Sequence, residues 1–190
     1  MSSHSTVRAL ALVGMPGSGK TLCAQHLEQR GFYQFRFGGI VVDEVQRRGW
    51  PVTPDNERHV REEFRANEGK EAIARRALPA LHTALKSRAC VVIDGLYSFS
   101  EYKMLHAEFG GEMVVVAIVA DRRLRYQRLA QRPERPLTPQ EAEERDIREI
   151  EMIEKGGPIA IADYTLLNND APEALLARLD ALVAQLHLRP

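Results

Sequence analysis

The run Gly14-Met15-Pro16-Gly17-Ser18-Gly19-Lys20-Thr21 fits the spacing G-x-x-x-x-G-K-[ST] and lies between an apolar stretch at 7–13 and a helical pattern at 20–30. Such a loop needs a buried strand to launch it and a helix to receive it, so it commits the chain to an α/β architecture. Its glycines take backbone dihedrals closed to other residues and let N–H groups approach phosphate oxygens. The first turn of the following helix adds its positive dipole end. Gly14, Pro16, Gly17, Ser18, Gly19, Lys20, Thr21 and Leu22 are therefore the expected cradle for a nucleoside triphosphate. Within it the Lys20 ammonium reaches the β- and γ-phosphates and the Thr21 hydroxyl ligates Mg²⁺.

The loop names the ligand and leaves the reaction open. No base-reading Asn-Lys-x-Asp of a GTPase occurs, and 190 residues are few for an AAA module. Small-molecule kinases using ATP and Mg²⁺ are then the favoured class. Apolar runs at 89–93, 113–119 and 164–167, with a short alternating run at 32–37, join the first strand. Helical patterns at 40–48, 55–67, 70–86 (with Pro79 as a kink), 100–109, 122–132, 140–155 and 172–188 separate them. The pattern predicts a five-stranded parallel sheet with helices on both faces. Segments at about 39–87 and about 133–157 carry no strand and read as helical insertions on a single domain, with Gly156-Gly157-Pro158 closing the second.

Charge and cysteine usage narrow the partners. Lys and Arg number 26 against 26 Asp and Glu, so no global basic field draws in nucleic acid or a membrane surface. No apolar run approaches the roughly 18 residues of a membrane span, and the polar start at 1–6 lacks the positive region of a signal peptide. Cys23 and Cys90 sit in apolar stretches and read as buried thiols of a cytoplasmic protein. His4, His26, His59, His82, His106 and His187 show no metal-ligand spacing. The expected partner is a small-molecule phosphoryl acceptor, and the expected assembly a monomer or homodimer.

Three further groups carry chemistry. Asp94 ends the apolar Val91-Val92-Ile93, which places a carboxylate at the ligand edge of a parallel sheet. There it can hold Mg²⁺, accept the acceptor's proton, or cap the next turn; Asp43 and Glu44 are alternative bases. Residues 121–155 hold eight Arg and nine acidic residues. One reading is a salt-bridged helical hairpin with pairs such as Glu141–Arg145 and Glu144–Arg148. The other is a mobile lid in which Arg122, Arg125 and Arg128 follow the fourth strand, Arg132 and Arg135 flank a Pro-rich loop and Arg145 and Arg148 return on the next helix, closing over phosphates, stabilising the transferred group and excluding water. Residues 55–76 carry Arg58, Arg61, Arg65, Arg75 and Arg76, with Arg61 or Arg65 the expected contact to an acceptor phosphate. Arg36 and Tyr97 complete the expected acceptor site; Tyr97 can stack on a base, donate its hydroxyl, or simply pack.

Five stretches carry a resemblance: VGMPGSGKT (13–21), RFGGIVVDEVQRRG (36–49), VVIDGLYSFSEY (91–102), RYQRLAQRPERPLT (125–138) and GGPIAIADYTLLNN (156–169). With them the whole chain resembles the P-loop kinase group that includes nucleoside monophosphate kinases and dephospho-CoA kinase. It is most similar to an uncharacterised adenylate-kinase-related, dephospho-CoA-kinase-like family. The resemblance implies Mg²⁺/ATP-dependent phosphoryl transfer, with a nucleoside monophosphate as first acceptor and dephospho-CoA as second. It implies catalytic roles for Lys20, Asp94, Arg128 and Arg145, and nucleotide contacts from Arg125 and Arg132. Dephospho-CoA kinase has an Asp-Ala-Asp run where this chain reads Phe35-Arg36-Phe37-Gly38-Gly39. Adenylate kinase has Gly-Phe-Pro-Arg where it reads Gly95-Leu96-Tyr97-Ser98. A rival of another class is an ATP-binding regulator with little turnover.

Overall fold

The computed structural model describes residues 6–190; His4 and all but the last residue of the polar start lie outside the described residues. Five strands, β1 (Ala9–Val13), β2 (Tyr33–Arg36), β3 (Val91–Asp94), β4 (Met113–Val119) and β5 (Tyr164–Leu167), form one sheet in the order β2-β3-β1-β4-β5. Every pairing is parallel. Strands that are apolar throughout are explained by two cores. Ala9, Ala11, Val13, Ile93, Val115 and Ala117 turn to one face, and Leu10, Leu12, Val92, Val116 and Ile118 to the other. Truncating a fully buried residue such as Leu12 to Ala costs about 2–5 kcal/mol.

The second face is covered by α1 (Lys20–Gln29), which follows the loop, and by α9 (Pro172–Gln185), through Cys23, Leu27, Leu175 and Leu179. Both cysteines are buried, and burial pushes each thiol up to about 12. The first face is covered by α2 (Phe37–Arg47), α3 (Pro54–Glu68), α4 (Ala72–Ala84) and α5 (Phe99–Phe109). α6 (Arg122–Ala130), α7 (Pro139–Ile153) and the short α8 (Gly156–Ala160) follow β4. No described helix is long and apolar enough to cross a membrane.

Helix starts follow side-chain caps. Thr53 accepts from Asn56 N at 3.3 Å ahead of Pro54. Ser98 with Glu101, and Thr138 with Glu141, form reciprocal capping boxes. α4 runs on through Pro79, within the single helix expected there. Two expectations are corrected. Gly156-Gly157-Pro158, expected to close the second insertion, forms the first residues of a further helix, α8, and Gly157 packs close on α5, where a Cβ would meet the Phe99 ring at 2.8 Å. On α7, Glu141 is taken by its cap and Arg145 pairs with Glu149, so the Glu141–Arg145 pair does not form.

Because all strands are parallel, their carboxyl ends meet at one edge. Leu12 is level with Asp94, and Asp94 with Arg36. That edge gathers the loop after β1, Asp94, the start of α6 and Asn168 after β5.

Candidate active site

The loop is fitted between three elements. Gly14 has φ 147°, and a Cβ there would collide with the Ile118 carbonyl of β4. Gly19 has φ 108°, and a Cβ there would collide with the Asn168 side chain. Both glycines thus answer conformation and close approach together. Asn168 Nδ2 donates to Ser18 O at 2.7 Å, while its own N–H donates to Val119 O at 2.7 Å, which fixes the loop to the far side of the sheet. The Ser18 hydroxyl is buried without a partner. Thr21 lies exposed at the first turn of α1, with Leu22 beside it half-buried.

Lys20 Nζ donates to Gly14 O at 2.7 Å and Met15 O at 3.2 Å. Burial, then the neighbouring Lys155 ammonium, bring its pKa down to about 7; Asp94 and Glu149 oppose this, and Arg145 adds to it. These charges place the α7–α8 junction and the end of β3 around the loop's lysine. Asp94 is half-buried and accepts from Gln34 Nε2 at 3.0 Å. Gln34 in turn accepts from the exposed Arg36 at 3.3 Å. Glu44 is bound by Arg47 at 2.6 Å and Arg48 at 2.7 Å, and these bonds hold it down to about 2. It is therefore a carboxylate tied by two guanidinium groups. Asp43 is exposed on α2.

The arginines divide. Arg125, read from sequence as phosphate-directed, is buried and committed elsewhere. It donates to Pro16 O at 3.0 Å and bidentately to Asp146 at 3.1 and 2.6 Å, so it braces the loop from behind. Arg128 donates to Asn168 O at 2.9 Å and leaves Nη1 buried without a partner. Arg122 meets Glu143 at 3.5 Å on the surface. Arg132 is exposed, with burial of its head and then Arg145 lowering its pKa. Arg145 Nε donates to Glu149 at 2.9 Å.

On the acceptor side, Arg61 lies 4.0 Å from Glu57. Arg65 has a side chain 16% exposed and Nε and Nη2 without hydrogen bonds; its nearest anion is Glu101, at 3.9 Å. Glu101 Oε2 is occupied by Tyr97 N at 2.8 Å and Ser98 N at 3.0 Å, and Oε1 is unpartnered. Burial raises the Glu101 carboxyl and lowers the Arg65 guanidinium. Tyr97 lies between the two halves. Its hydroxyl is pushed up to about 12 by burial, then by Asp94 and Glu149, with Arg61 opposing. The ring packs 3.0 Å from the Cβ position of Gly95.

Lys155 was not singled out in the sequence, where it reads as the last charge of a charged helix. In the structure its side chain is 5% exposed, its ammonium is paired with Glu149, and Nζ lies 5.0 Å from the Tyr97 ring centroid. Sequence spacing carries no sign of this, because the placement comes from the turn between α7 and α8. Two open surface grooves, one on α3 around Trp50 and His59 and one between α4 and α5 around Leu78 and Met104, contain none of these residues.

For Mg²⁺ the fitting donors are the Thr21 hydroxyl and the Asp94 carboxylate, oxygen ligands that leave room for water and phosphate oxygens. Among the described residues no cluster of three or more His, Cys, Asp or Glu is arranged to hold a metal alone.

A family model described as an AAA domain matches residues 10–150. Length had argued against an AAA module, and that exclusion is withdrawn. A UPF0200 protein of Thermococcus kodakarensis is 36% identical over 92% of this chain and 96% of its own. Among solved structures, a shikimate kinase from Bacteroides thetaiotaomicron superposes with a TM-score of 0.60 at 14% identity, covering 95% of this chain and 99% of that one. A gluconokinase from Sinorhizobium meliloti does so with 0.55 at 17% identity, covering 96% and 97%. At these identities the likeness is one of fold, and it agrees with the small P-loop kinases read from the sequence.

Proposed function

The chain belongs to the UPF0200 family and to the P-loop family described as an AAA domain, and on that premise we propose that it transfers the γ-phosphoryl group of ATP to a nucleotide-type acceptor, a nucleoside monophosphate first. The observation that carries the acceptor half is Arg65. A guanidinium largely removed from water, with two nitrogens unbonded, is costly unless an anion completes it. It stands on α3, across Tyr97 from the loop and Asp94.

The roles follow from position. The loop N–H groups and the α1 N-terminus hold the triphosphate tail, and Lys20 leaves its own carbonyls to meet the β- and γ-oxygens. Bound Mg²⁺, held by Thr21 and Asp94, supplies charge neutralisation of that tail. Asp94, at the strand end nearest the acceptor side, is also placed to accept the acceptor's proton, and Gln34 orients it. Arg65 and Arg61 hold the acceptor's anionic group, and Tyr97 forms the wall between donor and acceptor. Arg128, Arg132 and Arg145 are the remaining cations for the transferred group.

The test is a coupled ADP-release screen over nucleoside monophosphates, nucleosides, dephospho-CoA, shikimate and gluconate. Turnover raised by a nucleoside monophosphate and lost in Arg65→Met supports the proposal. Turnover raised by dephospho-CoA alone moves the acceptor to that class. ATP turnover unmoved by every acceptor overturns the kinase reading in favour of a regulator.

A further inference from the structure

The charges that act on Lys20 are Lys155 and Arg145 on one side and Asp94 and Glu149 on the other. Once Lys20 is charged, as phosphate oxygens make it, three cations face two carboxylates, and one of those carboxylates is the expected metal ligand. Glu149 alone serves both Lys155 and Arg145, one on each oxygen. Burial alone would raise the Glu149 carboxyl, but Lys155 and Arg145 hold it below the usual carboxylate range. The cluster is therefore short of negative charge in a place poor in water. A buried lysine of this kind contributes little to folding, because its desolvation offsets its ion pair.

The geometry points to Lys155 as a second phosphate-binding cation: its ammonium leaves Glu149 and meets the γ-phosphoryl of bound ATP, opposite Lys20. This rests on the reading of the loop as an ATP site. Nζ already lies over Tyr97, whose ring packs on Gly95 next to Asp94, so the ammonium stands at the strand end where phosphoryl transfer is placed. Its backbone is fixed. Glu154 takes the left-handed conformation at φ 58°, and Lys155 N donates to Glu149 O at 3.1 Å. Gly157 N donates to Glu154 O at 3.1 Å, and Ile159 packs into the core. Glu154 is also held by Lys70 at 2.5 Å and Ser100 at 3.4 Å. Only the flexible stem has to move, which lets the charge exchange one anion for another without refolding the segment.

The experiment measures binding of ADP and of a non-hydrolysable ATP analogue, by calorimetry, to the unmodified protein, Lys155→Met and Glu149→Gln. Met keeps the aliphatic stem and removes the charge. The analogue should bind Lys155→Met on the order of tenfold to a hundredfold more weakly, the range of a lost charged hydrogen bond. ADP, which lacks the γ-phosphoryl, should bind it within about twofold of the unmodified protein. Glu149→Gln removes the competing anion, so the analogue should bind it more tightly. A merely structural lysine predicts losses in both variants and for both nucleotides. Equal weakening of ADP and analogue, or no change in either, overturns the role of Lys155. If Lys155→Met fails to fold, Glu149→Gln decides: analogue binding that weakens or stays level overturns it. Failure of the unmodified protein to bind either nucleotide sinks the ATP site itself, a separate result.

Discussion

Lys20 rests on carbonyls of its own loop, and its pKa of about 7 follows from burial first and from Lys155 second. The sign follows directly. The folded protein disfavours the charged form, so between pH 10.5 and 7 the unfolded chain holds a proton that the folded chain gives up. Stability of the nucleotide-free protein therefore falls as pH drops through that window, and below it the cost is fully present. Phosphate oxygens reverse the preference, so nucleotide binding near pH 8 should take up protons, up to one for each nucleotide. Calorimetry in buffers of different ionisation enthalpy reads this uptake, and Lys20→Ala should abolish it. The same variant should lower phosphoryl transfer on the order of 10²-fold or more while keeping the fold. Zero uptake by the unmodified protein would count against a lysine that charges on binding. Asp94→Asn makes a separate case: turnover should collapse while metal-free nucleotide binding barely moves. A variant that stayed active and lost only melting temperature would reduce Asp94 to a turn former. At this scale the loop was legible because one short motif carries its whole chemistry. Lys155 was not, because nothing local marks it and its burial comes from the turn after α7.

Among the elements, α6 and α7 are joined by one interaction more than any other. Arg125 and Asp146 are 8% and 9% exposed, face each other bidentately, and share the Pro16 carbonyl and the Tyr126 hydroxyl as further partners. Removing one member leaves the other charge buried alone, which costs about 3–5 kcal/mol. Asp146→Ala should therefore lower unfolding stability by that amount in denaturant titration. It should also weaken nucleotide binding, because Arg125 then no longer braces Pro16. Arg125→Met combined with Asp146→Leu should cost clearly less than the sum of the single changes. A loss under 1 kcal/mol for Asp146→Ala would show that the pair is not what ties these helices. The sequence placed both helices but assigned Arg125 to phosphate, since charge spacing gives i,i+4 neighbours and not partners 21 residues away. The buried β4 was read at its observed bounds, because continuous burial on both faces leaves few other choices, and the half-exposed β5 was also read at its bounds. The expected run at 32–37 exceeds β2 by one residue at each end, and the apolar β1 and β3 were each expected to start two residues too early, since apolar residues continue past the ladder.

Across the whole molecule, the segment from α6 to α8 and the helices α3 and α4 face each other over the phosphate edge. Two ion pairs join them: Arg135 with Glu57 at 3.9 Å, and Lys70 with Glu154 at 2.5 Å. In both pairs the cation is largely exposed and its carboxylate partly so, so each contributes little and is weakened by salt. The sequence predicted one mobile unit over 133–157. The structure distributes its attachments unevenly. The far end is fixed by Glu154 and Lys155, the middle by Asp146, while 133–138 is exposed but for Leu137, whose N–H donates to Leu129 O at 3.1 Å. Motion should then concentrate in 133–138 and the first turn of α7, with Arg132 and Arg145 carried toward or away from the cleft. Hydrogen exchange with and without a non-hydrolysable ATP analogue tests this. Without nucleotide, 133–142 should exchange fastest among the ordered loops, and the α7–α8 junction should already be slow. The analogue should slow exchange at 14–22, at 133–142 and along the face of α3 bearing Arg61 and Arg65. High salt should speed exchange at 133–138 in the free protein, where Arg135–Glu57 is the only bridge from that loop to α3 among the described residues. Protection confined to 14–21 would mean that the segment does not close on nucleotide, and that the arginines beyond α6 belong to the surface.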